Sequence, residues 1–482
     1  MADGRTHSAA AGAAAGEGVL ARIALRFTGW AERWFPDAFI FVVIAVVVVA
    51  VAALANGAPV PAVAKSFGDG FWTLIPFTMQ MAFVTIGGYV VATSAPVQRL
   101  IDWLAQRPRS ARGAIGMIAL ATMLSSLVSW GLSLIFGGLL ARACARRTDL
   151  RMDYRAAGAA AYLGLGATWA MGLSSSAAQL QANPASLPPA LLPITGVIPF
   201  SQTIFLWQSM LIAAVLVVLS TVIAMASAPG REAAVTAQDM GIDPAREDDA
   251  LPPRTQPGEW LEHAPLVTVL IGLLAVGWLV QEFARQDWMV AISNLNTYNF
   301  LFLMAGLVLH WRPKRFLIAL ARAVPATAGI LIQYPFYAAI AAMLTGAKNA
   351  AGIGVADQIA HAFVALNTAA TFPLTMGAYS AILGFFVPSG GGKWLLEAPY
   401  VMQAANELHV HLGWAVQIYN AAEALPNLIN PFWMLPLLGI LGLKARDIVG
   451  FSFLQLLVHL PVVLFLLWAL SFTLPYQPPV LP

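Results

Sequence analysis

Charge is what this sequence has least of. Only 10% of its 482 residues are Asp, Glu, Lys or Arg, while 59% are hydrophobic. A soluble domain carries about a quarter charged residues to wet its surface. A chain this long and this apolar has too little polar surface to cover its own cores. Cysteine is nearly absent. The lone Cys144 excludes an intrachain disulfide and reads as a small apolar residue at a helix end rather than a reactive thiol. The histidines make no metal set: His409 and His411 stand two apart in a predicted loop, with no Cys or acidic cluster to complete it. No Gly-rich phosphate loop ending in Lys-Ser or Lys-Thr is present, so ATP-driven chemistry has no visible engine. The net charge of +3 is modest and its basic residues are scattered. That argues against nucleic acid as a partner and for the lipid bilayer. Alternation is missing as well, which excludes a transmembrane β-barrel.

What is present is a series of long apolar runs, near 38–55, 71–91, 203–226, 264–281 and 448–471. Each holds about 18 or more mostly apolar residues, enough to span a bilayer as helix. The Val-rich stretch 41–55 favours strand in water, but in lipid the backbone must satisfy its own hydrogen bonds, so helix wins. Residues 1–18 are Ala/Gly-rich without an apolar core and read as a flexible tail, not a signal peptide. Residues 19–35 carry Arg22, Arg26 and Arg33 among apolar neighbours and read as an interfacial helix, closing a first region of 1–35.

Sliding the sequence against itself by 259 positions places Pro76-Phe77 on Pro335-Phe336, Met117 on Met376 and Gly131 on Gly390. One offset thus aligns spans, Gly-rich breaks and loops together, as in secondary transporters built from repeats. The predicted first repeat is 36–226, with an interrupted hydrophobic segment near 113–140. A cytoplasmic linker at 227–262 and a connecting transmembrane helix within 263–296 follow. The second repeat is 297–475, interrupted near 372–405. Five crossings between the repeats would invert the second. Folded with its N-terminus inside, the chain puts 22 of its 26 Lys and Arg in inside loops, as the positive-inside rule requires. That asymmetry holds only if both interrupted segments are re-entrant hairpins. The expected fold is therefore all-α integral membrane, with nine transmembrane helices and two re-entrant helical hairpins in two inverted repeats. Its N-terminus is cytoplasmic and its C-terminus periplasmic.

The breaks are where chemistry is expected. One hairpin tip runs through Ser129-Trp130-Gly131, the other through Ser389-Gly390-Gly391-Gly392-Lys393. A helix loses roughly 1 kcal/mol per Gly and 3 per Pro there. At membrane depth such a break survives only where protein or a wet cavity solvates it. Converging N–H groups at a helix start make a site for a carboxylate; close helix packing is the other use of such glycines. Second breaks contain Ser174 and Ser175 in one repeat and Glu423, Asn427 and Asn430 in the other. Their side chains and unwound carbonyls suit a coupling ion or proton, although serines in membrane helices also bond back to their own backbone. An acidic Glu423 inside a crossing costs a few kcal/mol, so it serves either as a titratable site or as a structural partner. Lys393 either pairs with Glu397 at i,i+4 or attracts an anion.

At Gly68-Asp69-Gly70-Phe71-Trp72, Ser129-Trp130-Gly131-Leu132, Gln333-Tyr334-Pro335-Phe336-Tyr337, Pro388-Ser389-Gly390-Gly391-Gly392 and Asn430-Pro431-Phe432-Trp433 the chain resembles the bacterial short-chain fatty acid transporter family. The resemblance covers nearly all of 30–473 and implies proton- or ion-coupled uptake of small monocarboxylates such as butyrate or acetoacetate. It also implies kinship with ion-coupled carriers built as inverted repeats, usually dimers. This chain departs from the family pattern at Ser129, at Ala170-Met171, and at Lys393 and Glu397, where the family tends to have uncharged residues or His.

The resulting expectation is a symporter of the bacterial inner membrane working by alternating access, and not an enzyme. Its small carboxylate substrate is bound by Ser129, Trp130, Gly131, Ser389, Gly390, Gly391, Gly392 and Lys393. The coupling ion or proton is held at Glu423, Asn427, Asn430, Ser174 and Ser175. No cofactor beyond coupling H⁺ or Na⁺ is expected, and a homo-oligomer, a dimer by resemblance, is. A passive anion channel, a carrier for a different carboxylate, a membrane-embedded enzyme and an assembly partner are the rival readings.

Overall fold

A computed structural model describes residues 38–184, 187, 191–245, 251–286, 288–386 and 390–480. The tail and interfacial helix expected over 1–35, and Ser389 at the second tip, lie outside the described residues. Helices of seven residues or more are α1 (Ala38–Ala55), α2 (Val60–Phe71), α3 (Ile75–Ala92), α4 (Ala95–Ala105), α5 (Ala111–Ser126), α6 (Trp130–Ala145), α7 (Tyr154–Leu163), α8 (Ser176–Ala182) and α9 (Trp207–Ser227). Beyond the linker come α10 (Leu266–Arg285), α11 (Leu295–His310), α12 (Pro313–Ala323), α13 (Ala328–Gly346), α14 (Val355–Leu366), α15 (Phe372–Phe386), α16 (Gly390–Glu407), α17 (Leu412–Asn427), α18 (Pro431–Leu441) and α19 (Ala445–Ser471). Among the described residues the one β element is an isolated bridge between Gly196 and Val480.

The helices are arranged for a hydrocarbon solvent. On α1, Ile40, Val43, Ile44, Val47, Val48 and Val51 face outward, and on α10 the exposed residues include Leu270, Leu273, Leu274 and Val280. The face that α10 buries holds Thr268, Gly272 and Ala275. Large apolar side chains outside with small or polar ones inside are what packing without a hydrophobic drive between helices selects. The spans Ile75–Ala92, Trp207–Ser227, Leu266–Arg285, Pro313–Gly346 and Ala445–Ser471 are long and apolar enough to cross a bilayer.

An inner layer sits within this shell. Every residue of α17 is buried, and so is nearly all of α7 and of α16 up to Ala405. The chain breaks near both predicted places. After α7 one turn of π-helix (Gly164–Thr168) and one of 3₁₀ (Trp169–Met171) lead through extended Gly172 to α8. In the other half α17 continues through Glu423 and Pro426 to Asn427, so the break falls at 428–430, within the predicted stretch 423–433. Pro426 lies in the last turn of α17, its ring against Gly384 of α15.

Backbone-to-backbone contact holds the first hairpin, α5–α6, in place. A Cβ added to Gly88 of α3 would lie 2.3 Å from the Gly131 carbonyl carbon, and one added to Gly131 would lie 2.7 Å from the Val84 carbonyl oxygen. Only glycine lets these backbones approach so closely. Leu173 N–H then donates to Leu127 O (2.7 Å), tying the π/3₁₀ break to the hairpin tip.

Gly88→Val is therefore expected to lower the stability of the purified protein in nanodiscs by about 1–3 kcal/mol or more. Gly277→Ala, in α10 where a Cβ meets nothing within 4 Å, is expected to be neutral or to stabilise by up to about 1 kcal/mol. Thermal unfolding checks both; equal shifts for the two variants would contradict the close-contact account.

Candidate functional site: a buried ion cluster between a helical hairpin and a broken helix

The hairpins and breaks of the two halves pack crosswise. Trp130, opening the second arm of the first hairpin, meets Trp433 of α18 edge-to-face with centroids 5.8 Å apart. Gly390, opening α16, lies under Trp169 of the first break: a Cβ there would sit 2.1 Å from the Trp169 Cη2. Gly391 is covered likewise by Phe77 at 2.3 Å. These two glycines thus serve close packing in this conformation. Their chain is held further by Tyr419, whose hydroxyl donates to Gly390 O at 2.5 Å.

The predicted serines are engaged around the first tip. Ser129 caps α6, its hydroxyl accepting from Leu132 N–H. Ser174 accepts from Trp130 N–H at 3.0 Å, and Ser175 caps α8. Ser126, within the predicted tip at 125–133, and Thr168, within the predicted break at 164–176, join hydroxyl to hydroxyl at 2.8 Å. Such caps satisfy helix-end N–H groups that no water reaches at this depth.

The charged residues converge elsewhere, at the junction of α15, α16 and α17. Lys393 Nζ donates to Ser380 O (2.8 Å) and Ser380 Oγ (2.7 Å). It stands 3.0 Å from Glu397 Oε1 and 2.8 Å from Glu423 Oε2, with all three charged side chains fully buried. The ammonium also lies over the Tyr419 ring, 4.5 Å from its centroid. Of the two sequence alternatives for Lys393, the pair with Glu397 is present here, and the ammonium turns into the cluster. Two of its N–H groups go to Ser380, and neither carboxylate accepts a well-directed hydrogen bond among the described residues. With all three groups ionised, the cluster carries one uncompensated negative charge.

Glu423 belongs to a polar stripe on α17, Gln417, Asn420, Glu423 and Asn427, all buried. Asn420 Nδ2 donates to Gln417 Oε1 at 2.6 Å, whereas the Asn427 side-chain amide has no partner among the described residues. The Asn427 carbonyl accepts from the Tyr162 hydroxyl at 2.6 Å. Asn430 lies buried in the turn before α18. The i, i+3, i+6, i+10 spacing of the stripe is readable in the sequence; Ser380, a lone serine among apolar residues, carries no such signal.

A separate cavity of about 330 Å³ is lined by Arg142, Arg146, Arg315, Arg322 and His310 among others, and shares no residue with the cluster. Arg142 is spent on the carbonyls of Ile440, Asp243 and Ala245, and Arg146 on Asp102 at 2.8 Å.

Removing one member of a buried ion cluster leaves unpaired charge behind. Lys393→Met is expected to cost about 3–5 kcal/mol of stability. The triple variant K393M/E397Q/E423Q, which removes every charge, is expected to recover most of it. Thermal unfolding of the two variants in nanodiscs checks this, and a triple variant no more stable than the single one would contradict ion pairing as the local constraint.

Comparison with known proteins completes the assignment. Residues 19–470 match the short chain fatty acid transporter family. A protein of Escherichia coli (strain K12) named as a short-chain fatty acid transporter is 33% identical over 441 residues, covering 91% of this chain and 97% of that one. A protein of the same name in Haemophilus influenzae is 31% identical over 453 residues, covering 92% and 98%. Among solved structures, Neisseria gonorrhoeae MtrF, described with a class of antimetabolite efflux pumps, superposes with a TM-score of 0.56 at 14% identity over 95% of this chain and all of that one. The YdaH transporter of Alcanivorax borkumensis gives 0.53 at 16% over 92% and 100%. Those two likenesses bear on the fold alone. The chain is a multi-pass membrane transporter, not an enzyme, and it belongs to the short-chain fatty acid transporter family.

Proposed function

We propose that this protein is an ion- or proton-coupled symporter that carries short-chain fatty acids or similar small monocarboxylates, such as butyrate or acetoacetate, into a bacterium across its inner membrane. The observation that carries the coupling is the buried Lys393–Glu397–Glu423 cluster, one positive charge short at the centre of the inner layer. Leaving a net charge there costs several kcal/mol, so the cluster favours taking up a monovalent cation when it is closed off. Family membership supports the substrate class.

In this reading the two halves are inverted repeats. The order α1–α9 recurs as α11–α19, and α5–α6 and α15–α16 are re-entrant hairpins. Once the Trp169 and Phe77 rings move off Gly390 and Gly391, the substrate carboxylate is held at the start of α16 by Gly390, Gly391 and Gly392, with Ser129, Trp130 and Gly131 opposite. Asn427 and its neighbours complete the coupling site. Movement of each hairpin against the broken helix of the other half gives alternating access. The arginine-lined cavity draws on residues that the positive-inside rule assigns to the cytoplasm, which supports a vestibule for the anion on that side. The N-terminus is then cytoplasmic and the C-terminus periplasmic, and the assembly is a homodimer.

Glu423→Gln tests the coupling. It imitates the protonated carboxylate, so the variant is expected to insert and fold normally and to retain exchange of labelled for unlabelled butyrate. Concentrative uptake driven by an imposed ion gradient is expected to fall at least about tenfold, a loss of roughly 1.4 kcal/mol or more of coupling. Measurement in proteoliposomes with acetate, butyrate, acetoacetate and a dicarboxylate also separates the rival, since an anion channel shows neither saturation nor counterflow. Undiminished accumulation by E423Q would remove Glu423 from the coupling role.

A further inference from the structure

The cluster around Lys393 has the donor set of a cation site. Four oxygens converge on one point: a backbone carbonyl and a hydroxyl from Ser380, and one carboxylate oxygen each from Glu397 and Glu423, at 2.7–3.0 Å from Nζ. Carbonyl, hydroxyl and carboxylate oxygens are the ligands that hard monovalent and divalent cations take. What stands at the centre is the chain's own ammonium.

The surrounding structure is shaped for it. Gly384 of α15 leaves the space open: a Cβ there would lie 2.9 Å from Glu423 Oε2 and 3.4 Å from Lys393 Nζ. The Tyr419 ring closes one side as a cation-binding face. The oxygens come from three helices, α15, α16 and α17, so the ammonium ties the second hairpin to the broken helix beside it. The titratable groups facing the carboxylates are phenols on every packed element. Tyr337 of α13 and Tyr419 are within electrostatic reach of Glu423; Tyr379 of α15, Tyr400 of α16 and Tyr419 are within reach of Glu397. Among the described residues, no second cation joins Lys393 in these contacts.

We propose that Lys393 permanently occupies a metal-cation site between the hairpin and α17, so that Na⁺ is shut out and the one remaining negative charge is neutralised by a proton. This deepens the coupled-carrier reading and rests on it only for the transport consequence; the cation site itself stands on its ligands. Seating a sodium ion would require displacing a tethered ammonium, whose local concentration is fixed by its own helix. A proton needs no such vacancy, because a free carboxylate oxygen suffices. The transport that follows is driven by protons and indifferent to sodium.

The test is a sodium titration at constant ionic strength, with choline as the replacement cation, on the full chain in nanodiscs. Radioactive sodium binding and the thermal unfolding midpoint are read together. Wild type is expected to show no saturable sodium binding and no sodium-dependent shift of its midpoint. Lys393→Ala, which empties the centre, and K393A/E397Q, which leaves a single carboxylate for a single cation, are expected to gain saturable sodium binding and a sodium-dependent stabilisation. K393A/E397Q/E423Q is expected to lose both.

Saturable sodium binding by the wild type, or butyrate uptake that requires sodium, would overturn the proposal. So would folded K393A and K393A/E397Q that both ignore sodium. Should neither variant be recoverable, the wild-type titration decides alone. If sodium binding appears in the Lys393 variants while the wild type moves none of the carboxylates, the cation site stands and the substrate reading fails. The two failures are thereby told apart.

Discussion

One ammonium shared between two carboxylates governs this structure. Lys393, Glu397 and Glu423 are fully buried in the innermost layer of a protein whose outer face is apolar. Charges are costly there, and they persist only because each is within about 3 Å of its opposite. The count of two acids to one base leaves the cluster unbalanced. In the function proposed above, this imbalance makes the ion pair a coupling device: the local charge changes with a proton, and the packing of α16 on α17 with that charge. A two-state element biased by a local charge is the physical content of a switch.

The second constraint is close approach. Gly88 and Gly131 let α3 and α6 touch backbone to backbone, and Gly390 and Gly391 admit the rings of Trp169 and Phe77 against the start of α16. Each hairpin thereby rests on the broken helix of the opposite half, Trp130 on Trp433 and Gly390 under Trp169. In the proposed alternating access, short breaks flanked by caps, such as the π and 3₁₀ turns after α7, are the backbone that changes conformation without dismantling a whole span.

Much of this was legible before any coordinates. Apolar runs announced the helices because the bilayer leaves the backbone no other solution. The Gly- and Ser-rich interruptions announced the breaks because helix propensity fails there. Glu423 stood out by the cost of an acid in a span, and Lys393 with Glu397 by their i,i+4 spacing. What stayed hidden was every partner distant in sequence. The contact of Lys393 with Glu423 joins two helices, and Ser380 contributes its two oxygens from a third, with nothing local to mark it. The covering of Gly390 by Trp169 was hidden for the same reason, so glycines read as an open anion cradle are packed over in this conformation. Within the predicted break at 423–433, α17 runs on through Pro426 to Asn427, with the proline ring against Gly384 of a helix distant in sequence.

If a single proton balances the cluster as a carboxylate moves, the two cross the membrane in a fixed ratio that can be measured. In proteoliposomes loaded with a pH-sensitive dye and voltage-clamped with potassium and valinomycin, protein-dependent butyrate entry is recorded beside proton entry, with empty vesicles correcting for diffusion of the free acid. The account predicts one proton for each carboxylate and no net current, with or without sodium. Carboxylate entry that carries a current and brings no proton would contradict it.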